Sequence, residues 1–142
     1  MAMGWTDSHL HAFTIHGEQF GVPDEDFPAM VRNERNVRLD KLVGAGGTFV
    51  YEYDFGDGWE HVLKVEKILP AMPDVRIPLC LAGKRACPPE DCGGAWGYEH
   101  LLEVLRDPAH EEYNDMLDWL GGEFDPEAFD IDVTNVELRT LK

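Results

Sequence analysis

Two alternating runs of residues joined by a glycine-rich tripeptide constrain the fold of this chain more than any other feature. Thr48 to Phe55 places aromatic side chains on one face of a predicted strand, and Trp59 to Leu69 alternates again. Between these runs, Gly56-Asp57-Gly58 supplies residues that tolerate positive φ, which suits a tight turn. The pattern therefore predicts a long antiparallel hairpin whose register is held by cross-strand aromatic and β-branched pairs.

A shorter alternating run lies near the N-terminus. His9 to Ile15 alternates between two faces and predicts a strand, and His16-Gly17 would turn it toward a short partner around Gln19-Phe20. Val22 to Asn36 is polar, contains two prolines and is typical of a surface loop. A short helical turn is expected within Val37 to Val43.

The C-terminal half combines an irregular segment with helices. Pro70 to Trp96 holds five prolines and all three cysteines, and helical periodicity returns at Tyr98. Asp107-Pro108 predicts the start of a second helix, which Gly121-Gly122 would end. Asp125-Pro126 predicts a short helix through Phe129, and the tail from Ile131 to Leu141 is ambiguous between strand and helix.

Length and charge exclude several classes of protein. A chain of 142 residues fits a single domain spanning residues 1–142. With 12 basic and 28 acidic residues, the net charge of −16 argues against a general nucleic-acid binder and against docking on anionic membranes. The N-terminus shows no secretory signal pattern, and three cysteines are an odd number for a disulfide framework. We therefore expect reduced thiols and a cytoplasmic location.

The acidic residues are unevenly distributed. Fourteen Asp or Glu but one basic residue, Arg106, lie between Glu90 and Asp132. The ordinary interpretation is a pair of solvated helix faces that keep the protein soluble. The sharper interpretation is an acidic docking face for a basic partner. Glu90 and Asp91 are adjacent in sequence, which does not by itself create a general acid and base pair. These carboxylates are more often hydrogen-bond acceptors in a loop or at a helix cap.

The cysteines are candidate zinc ligands. Cys80, Cys87 and Cys92 lie in one predicted loop, and thiolates bind zinc well. A fourth ligand would come from His61, or from His9 or His11, which share one strand face. The spacings of seven and five residues are not those of close zinc knuckles, however, and buried cysteines often serve as small hydrophobic residues.

The hairpin turn carries a second group of candidates. A lone His61 on an apolar face is more often a core residue bonded to backbone than a ligand or base. One interpretation is that the turn and the cysteine loop meet, which would bring Asp54, Asp57 and Trp59 near the thiols and Glu90. The favoured interpretation is that the loop only plugs one end of the sheet. Ser8 is the only serine, so Ser-His-Asp chemistry is improbable.

Three stretches together resemble the plasmid pRiA4b ORF-3-like family. They are Gly4-Trp5 through Phe13, Tyr51 to His61, and Cys80 to Gly83 with Ala86 to Gly94 and Gly97-Tyr98. The resemblance implies an α+β, roll-like domain in which C-terminal helices pack on an antiparallel sheet with a central hairpin. Members occur in bacteria and archaea, some associated with plasmids or insertion elements. The family brings no assigned activity, so no catalytic residues are transferred.

The same resemblance implies a strand and a helix before the Gly4-Trp5 segment, and of these the chain contains little more than Met1 to Trp5. A missing strand would leave an open sheet edge. We therefore expect a homo-oligomer that covers this edge.

Three functions follow, in decreasing order of support. The first is a cytoplasmic, non-enzymatic accessory or protein-interaction domain with an unknown protein partner. The second is a metal-binding module or metal-dependent enzyme that uses the three cysteines and His61. The third is a nucleic-acid-associated protein linked to a mobile element, which the net charge disfavours.

Overall fold

The chain divides into two compact units. The computed structural model describes residues 3–23, 31–71 and 73–141. Residues 9–71 form one unit, called the sheet unit here, and residues 1–8 with 72–142 form the other, called the helical unit. The sheet unit contains β1 (His11–Ile15), β2 (Glu18–Gly21), β3 (Arg32–Asn33), a 3-10 turn (Glu34–Asn36), α1 (Leu39–Leu42), β4 (Thr48–Tyr53) and β5 (Trp59–Lys64). The helical unit contains α2 (Gly94–Arg106), α3 (Tyr113–Leu120) and α4 (Ile131–Leu138).

The predicted α+β class is confirmed, with a five-stranded sheet and C-terminal helices. The strand order is β3-β2-β1-β4-β5, so the expected central position of the hairpin is wrong: β1 lies in the middle and β5 at an edge. Three of the four strand pairs are antiparallel as predicted, whereas β2 and β3 pair in parallel. Long-range pairing of this kind has no local sequence signal.

The predicted hairpin forms in the expected register. Thr48 pairs with Lys64 at its open end, and Tyr53 pairs with Trp59 beside the turn. β5 ends at Lys64, five residues before the predicted end at Leu69. Val65 still exchanges backbone hydrogen bonds with the preceding loop, donating to Gly47 at 2.9 Å.

The core of the sheet unit lies on the aromatic face that the alternation predicts. Its buried centre consists of Ile15, Phe20, Val43 and Phe49, against which Phe13, Val37, Leu42 and Val65 pack. Side chains of this size each stabilise the folded state by about 1.5–3 kcal/mol when fully buried. The predicted helical turn is confirmed as α1, and its neighbour Val43 belongs to this core.

The predicted surface loop from Val22 to Asn36 is partly ordered secondary structure. Residues 24–30 lie outside the described residues, but residues 32–36 form β3 and the 3-10 turn. Arg32 stabilises this arrangement: its guanidinium donates to the Glu18 carboxylate at 2.8 Å and lies 5.2 Å from the Phe20 ring centroid. These contacts connect Arg32 to two residues of β2, and the loop prediction does not include such contacts.

Two of the predicted helix starts in the helical unit are wrong. Asp107 Oδ1 accepts from the Ala109 amide, but the turn does not continue and α3 begins only at Tyr113. Asp125 Oδ1 likewise accepts from the Glu127 amide, and a turn forms there instead of a helix. An Asp that bonds its own backbone two residues on serves a turn as readily as a helix cap.

Among the remaining helix boundaries of this unit, in α2, α3 and α4, some follow the sequence pattern and others depart from it. α2 begins at Gly94, four residues before the apolar periodicity at Tyr98, and α3 ends at Gly121 with φ 73° as predicted. The ambiguous tail is a helix, α4, because Asp130 accepts from two amides of its first turn. No helix among the described residues is long and apolar enough to cross a bilayer.

Asp54 organises the hairpin turn. It is 7% exposed and has φ 55°, a conformation that Asp and Asn tolerate better than most residues. Its Oδ1 accepts from the amides of Gly56 at 3.0 Å and Asp57 at 3.3 Å. Its own amide donates to the Leu10 carbonyl at 2.9 Å, which ties the turn to the residue before β1.

We expect Asp54→Ala to lower the free energy of unfolding by about 1–3 kcal/mol, because two turn amides lose their acceptor. Asp54→Asn keeps an acceptor oxygen and tolerates positive φ, so it should lose less than half as much. Urea denaturation of the two variants measures both values. Equal losses in both would contradict the acceptor role.

Candidate docking groove and the cysteine loop

The three candidate cysteines do not converge on one point. Cys80, Cys87 and Cys92 form no disulfide and are partly buried, and their three Sγ atoms do not all lie within 4.8 Å of one another. A tetrahedral zinc site requires Zn–S distances of about 2.3 Å, which bring its sulfurs close together. Zinc binding by these residues and His61 stays a prediction, which elemental analysis of protein purified without added metal would test.

Cys80 is held by a side chain far along the sequence. Its amide donates to Asn135 Oδ1 at 2.8 Å, and Asn135 Nδ2 donates to the Cys80 carbonyl at 3.0 Å. Asn135 therefore pairs with the backbone of the loop as a neighbouring strand would. The Cys80 thiol donates to the Ala82 carbonyl at 3.4 Å. These bonds give the loop around Cys80 a fixed conformation without regular secondary structure.

Cys87 packs against the N-terminal segment. A Cβ atom placed on Gly4 would lie 2.7 Å from Cys87 Cβ, and Gly4 has φ 114°, so this approach requires glycine. Burial raises the pKa of the Cys87 thiol to about 12, and the negative charge of Glu90 adds to the effect. The raised pKa keeps this thiol protonated at neutral pH, which slows its attack on electrophiles.

The segment after Cys87 is bonded to the N-terminus of the chain. Trp5, which is 6% exposed, donates its indole N–H to the Pro88 carbonyl at 3.0 Å. Glu90 Oε1 accepts from the Thr6 amide at 2.9 Å and from its hydroxyl at 3.0 Å. Glu90 is therefore a loop acceptor, as its position beside Asp91 predicted.

The candidate histidines each have a defined partner in the sheet unit. His61 Nδ1 donates to the Tyr51 carbonyl at 3.2 Å across the β4–β5 pair, the backbone-bonded state that the sequence favoured. His11 Nε2 lies 3.1 Å from Glu34 Oε2, and His9 Nδ1 lies 3.7 Å from Asp54 Oδ2. The two histidines predicted to act together thus contact different carboxylates.

Asp57 and Trp59 belong to the hairpin itself. The Asp57 amide donates to Asp54, and Trp59 is the half-buried first residue of β5, paired with Tyr53. Their positions stabilise the turn and its register.

The helical unit contains a groove between α2 and α3, called the α2–α3 groove here. It encloses about 310 Å³ and is lined by Asp91, Cys92, Gly97, His100, Leu101, Glu112, Asp115, Met116 and Trp119. Leu101 is fully buried, whereas the Trp119 indole on α3 is 51% exposed. The groove therefore joins an apolar surface to three carboxylates.

The close approach of the loop to α2 shapes one end of this groove. A Cβ on Gly97 would lie 1.8 Å from the Cys92 carbonyl oxygen, so only glycine fits there. Gly93 precedes the helix with φ 86°, and its carbonyl accepts from the Gly97 amide at 3.1 Å. These glycines allow Asp91 and Cys92 to line the groove beside α2.

Three carboxylates and one histidine line the groove. His100 Nε2 on α2 lies 3.2 Å from Glu112 Oε2 at the start of α3. The Glu112 amide donates to His110 Nδ1 at 3.1 Å, which positions the backbone just before α3. Asp91 and Asp115 add two further carboxylates to the lining, so the groove attracts cationic groups.

Sequence reasoning missed the residues that build this groove. The local sequence pattern does not single out Met116, Trp119 or Gly97 as site residues. The available signal for Trp119 was its position outside the stripe of Tyr113, Met116, Leu117 and Leu120. Nothing in the local sequence indicated that Asn135 would bond Cys80, because the two are 55 positions apart.

We expect iodoacetamide to alkylate Cys87 more slowly than Cys80 or Cys92 at pH 8. With a pKa near 12, about one Cys87 thiol in ten thousand is ionised at that pH. Its alkylation rate should keep rising as the pH increases from 8 to 11. Peptide mass spectrometry measures each site, and protein in urea, where the three rates should become similar, is the control. Fast alkylation of Cys87 in folded protein would contradict this assignment.

We expect Asn135→Ala to expose the Cys80 amide to hydrogen exchange, since its acceptor is lost. Asn135→Asp keeps that acceptor and removes only the donor to the Cys80 carbonyl, so the amide should stay protected. Amide hydrogen exchange followed by NMR distinguishes the two variants. Protection of Cys80 in Asn135→Ala would show that another group holds the loop.

Comparisons with known proteins agree on the family. The chain matches the family described as Plasmid pRiA4b ORF-3-like protein over residues 1–133. It is 43% identical to the uncharacterized protein y4hQ of Sinorhizobium fredii over 143 aligned positions, covering 99% of this chain and 73% of that protein. A crystal structure of a protein of unknown function from Methanosarcina mazei Go1 is similar with a TM-score of 0.83 and 42% identity, covering 93% of this chain and 76% of that one. The chain therefore belongs to the plasmid pRiA4b ORF-3-like family.

Proposed function

We propose that this chain is a cytoplasmic protein-interaction domain whose α2–α3 groove binds a basic peptide segment carrying one apolar side chain. The observation that carries the proposal is the combination of apolar and acidic groups in a single groove of about 310 Å³. That volume is at the small end of ligand pockets, which span about 300–1,000 Å³. A groove of this volume can hold one side chain of a peptide together with its flanking backbone.

Trp119 and Met116 supply the apolar contact. Trp119 is 51% exposed on the groove, although burial of an indole in a partner interface is strongly favourable. Tryptophan is enriched among the residues that contribute most to binding, and methionine adapts its shape to different partners. An apolar side chain entering the groove would contact both residues.

The charge of the surroundings selects a basic partner. Asp91, Glu112 and Asp115 line the groove, and the segment from Glu90 to Asp132 carries fourteen acidic residues against one basic residue. Such a field raises the local concentration of cationic segments and repels nucleic acid and anionic membranes. Three cysteines, an odd number, fit a reducing cytoplasm better than a disulfide framework, which supports a cytoplasmic site of action.

A fluorescein-labelled pentapeptide with one Phe between Lys residues tests the groove by fluorescence anisotropy. We expect Trp119→Ala to weaken its binding at least about tenfold, as truncating a central aromatic contact does. Trp96→Ala is the matched control, because Trp96 is 85% exposed on α2 but does not line the groove. It should leave the affinity unchanged.

The contribution of the groove carboxylates to peptide binding is tested with a separate control variant. Asp115→Asn should weaken peptide binding severalfold and reduce its salt dependence, whereas Glu137→Gln, which removes one charge from α4, should do neither. A peptide with Ala in place of Phe should bind more weakly to the unmodified protein. Equal binding of both peptides, or equal effects of the two tryptophan variants, would overturn the proposal.

A further inference from the structure

The outer edge of β5 presents backbone groups to a partner strand. Val65 exchanges hydrogen bonds with Gly46 and Gly47 on the β4 side of the hairpin. Since backbone direction alternates along a strand, the odd-numbered residues of β5 bond β4. The N–H and C=O groups of Glu60, Val62 and Lys64 therefore point away from the sheet. Among the described residues, β5 pairs with β4 alone.

The side chains of these three residues are exposed. Val62 is 77% exposed, which is high for a β-branched residue within a strand, and Glu60 and Lys64 flank it at equal distances. Edge strands usually carry a charge, often Lys, that discourages pairing. Here the opposite charges are placed symmetrically about Val62.

We propose that β5 pairs in antiparallel fashion with β5 of a second copy of this chain, centred on Val62. In this register, Glu60 lies opposite Lys64 of the second copy, and Lys64 lies opposite its Glu60. The outward N–H and C=O groups of the three residues form about six inter-strand hydrogen bonds. The two sheets then become one continuous sheet across the two-fold axis.

The other symmetric registers centred within β5 lack this complementarity. Centring the pair on Glu60 places it opposite itself, and centring it on Leu63 places Glu60 opposite Glu66. Centring it on His61 places Glu60 opposite Val62, with no charge pair. Directly opposed like charges destabilise a strand pair, and opposite charges contribute about 0.2–1 kcal/mol each. Charge complementarity thus selects both the occupant, a second copy, and the register.

The net charge of each copy opposes association over longer distances. At physiological ionic strength the screening length is about 8 Å, so repulsion between the two chains of charge −16 is reduced while the adjacent Glu–Lys pairs are less affected. A single strand pair buries little surface, so a weak dimer is expected. The proposal uses only the sheet unit and is independent of the α2–α3 groove.

A charge exchange at the proposed interface tests it. Glu60→Lys alone places Lys opposite Lys, and Lys64→Glu alone places Glu opposite Glu, so each variant should dimerise at least about tenfold more weakly than the unmodified chain. An equimolar mixture of the two variants restores a Glu–Lys pair at both positions. Sedimentation equilibrium should therefore show a heterodimer as strong as the original dimer.

Matched controls separate the interface from net charge and from folding. Lys41→Glu on α1 and Glu137→Lys on α4 make the same charge changes elsewhere and should leave dimerisation unchanged. Val62→Pro removes an outward N–H that β4 does not use. This variant should therefore stay folded, as measured by circular dichroism, and sediment as a monomer. A monomeric unmodified chain at millimolar concentration, or a mixture that associates no more than either variant alone, would overturn the proposal.

Discussion

The backbone hydrogen bonds of the Asp54 turn set the register of the sheet unit. Asp54 bonds Leu10 through its amide and the turn amides through its carboxylate, so one buried residue connects β1, β4 and β5. A shift of one residue in this register would exchange the two faces of each strand. The aromatic core on one face and the exposed Glu60, Val62 and Lys64 at the edge both depend on it.

The helical unit achieves order by a different route. Between residue 73 and α2 the described chain has no helix or strand, so its backbone groups are satisfied by distant side chains and by other loops. Asn135 bonds Cys80, Thr6 bonds Glu90, and the Ala86 amide donates to the Pro126 carbonyl. Contacts of this kind hold an irregular segment in one conformation at the cost of side-chain entropy. They also hold Asp91 and Cys92 at the end of the α2–α3 groove.

The candidate site was only partly predictable from the sequence. Its charge and its apolar stripes are local properties, whereas the groove that combines them is a tertiary one. The acidic character of residues 90–132 and the apolar stripes of the helices follow from composition and period, which are local. Their meeting in one groove depends on how α2 lies against α3, and the close approach of Cys92 to Gly97 brings the preceding loop to one end of that groove. The cysteines drew attention through their chemistry, but burial raises the pKa of Cys87 and so reduces its reactivity.

By itself, the sequence determined β1, β2, β4 and β5, the hairpin turn, the charge and the family, because alternation, glycine placement and motifs are encoded within a few neighbouring residues. Tertiary structure alone decided that β3 joins β2 in parallel, that β5 lies at the edge, and that the Asp107 and Asp125 caps close turns. Those outcomes depend on which distant residues compete for the same backbone groups. An aspartate carries the same local signal whether a helix or a turn follows it, and only packing selects between them.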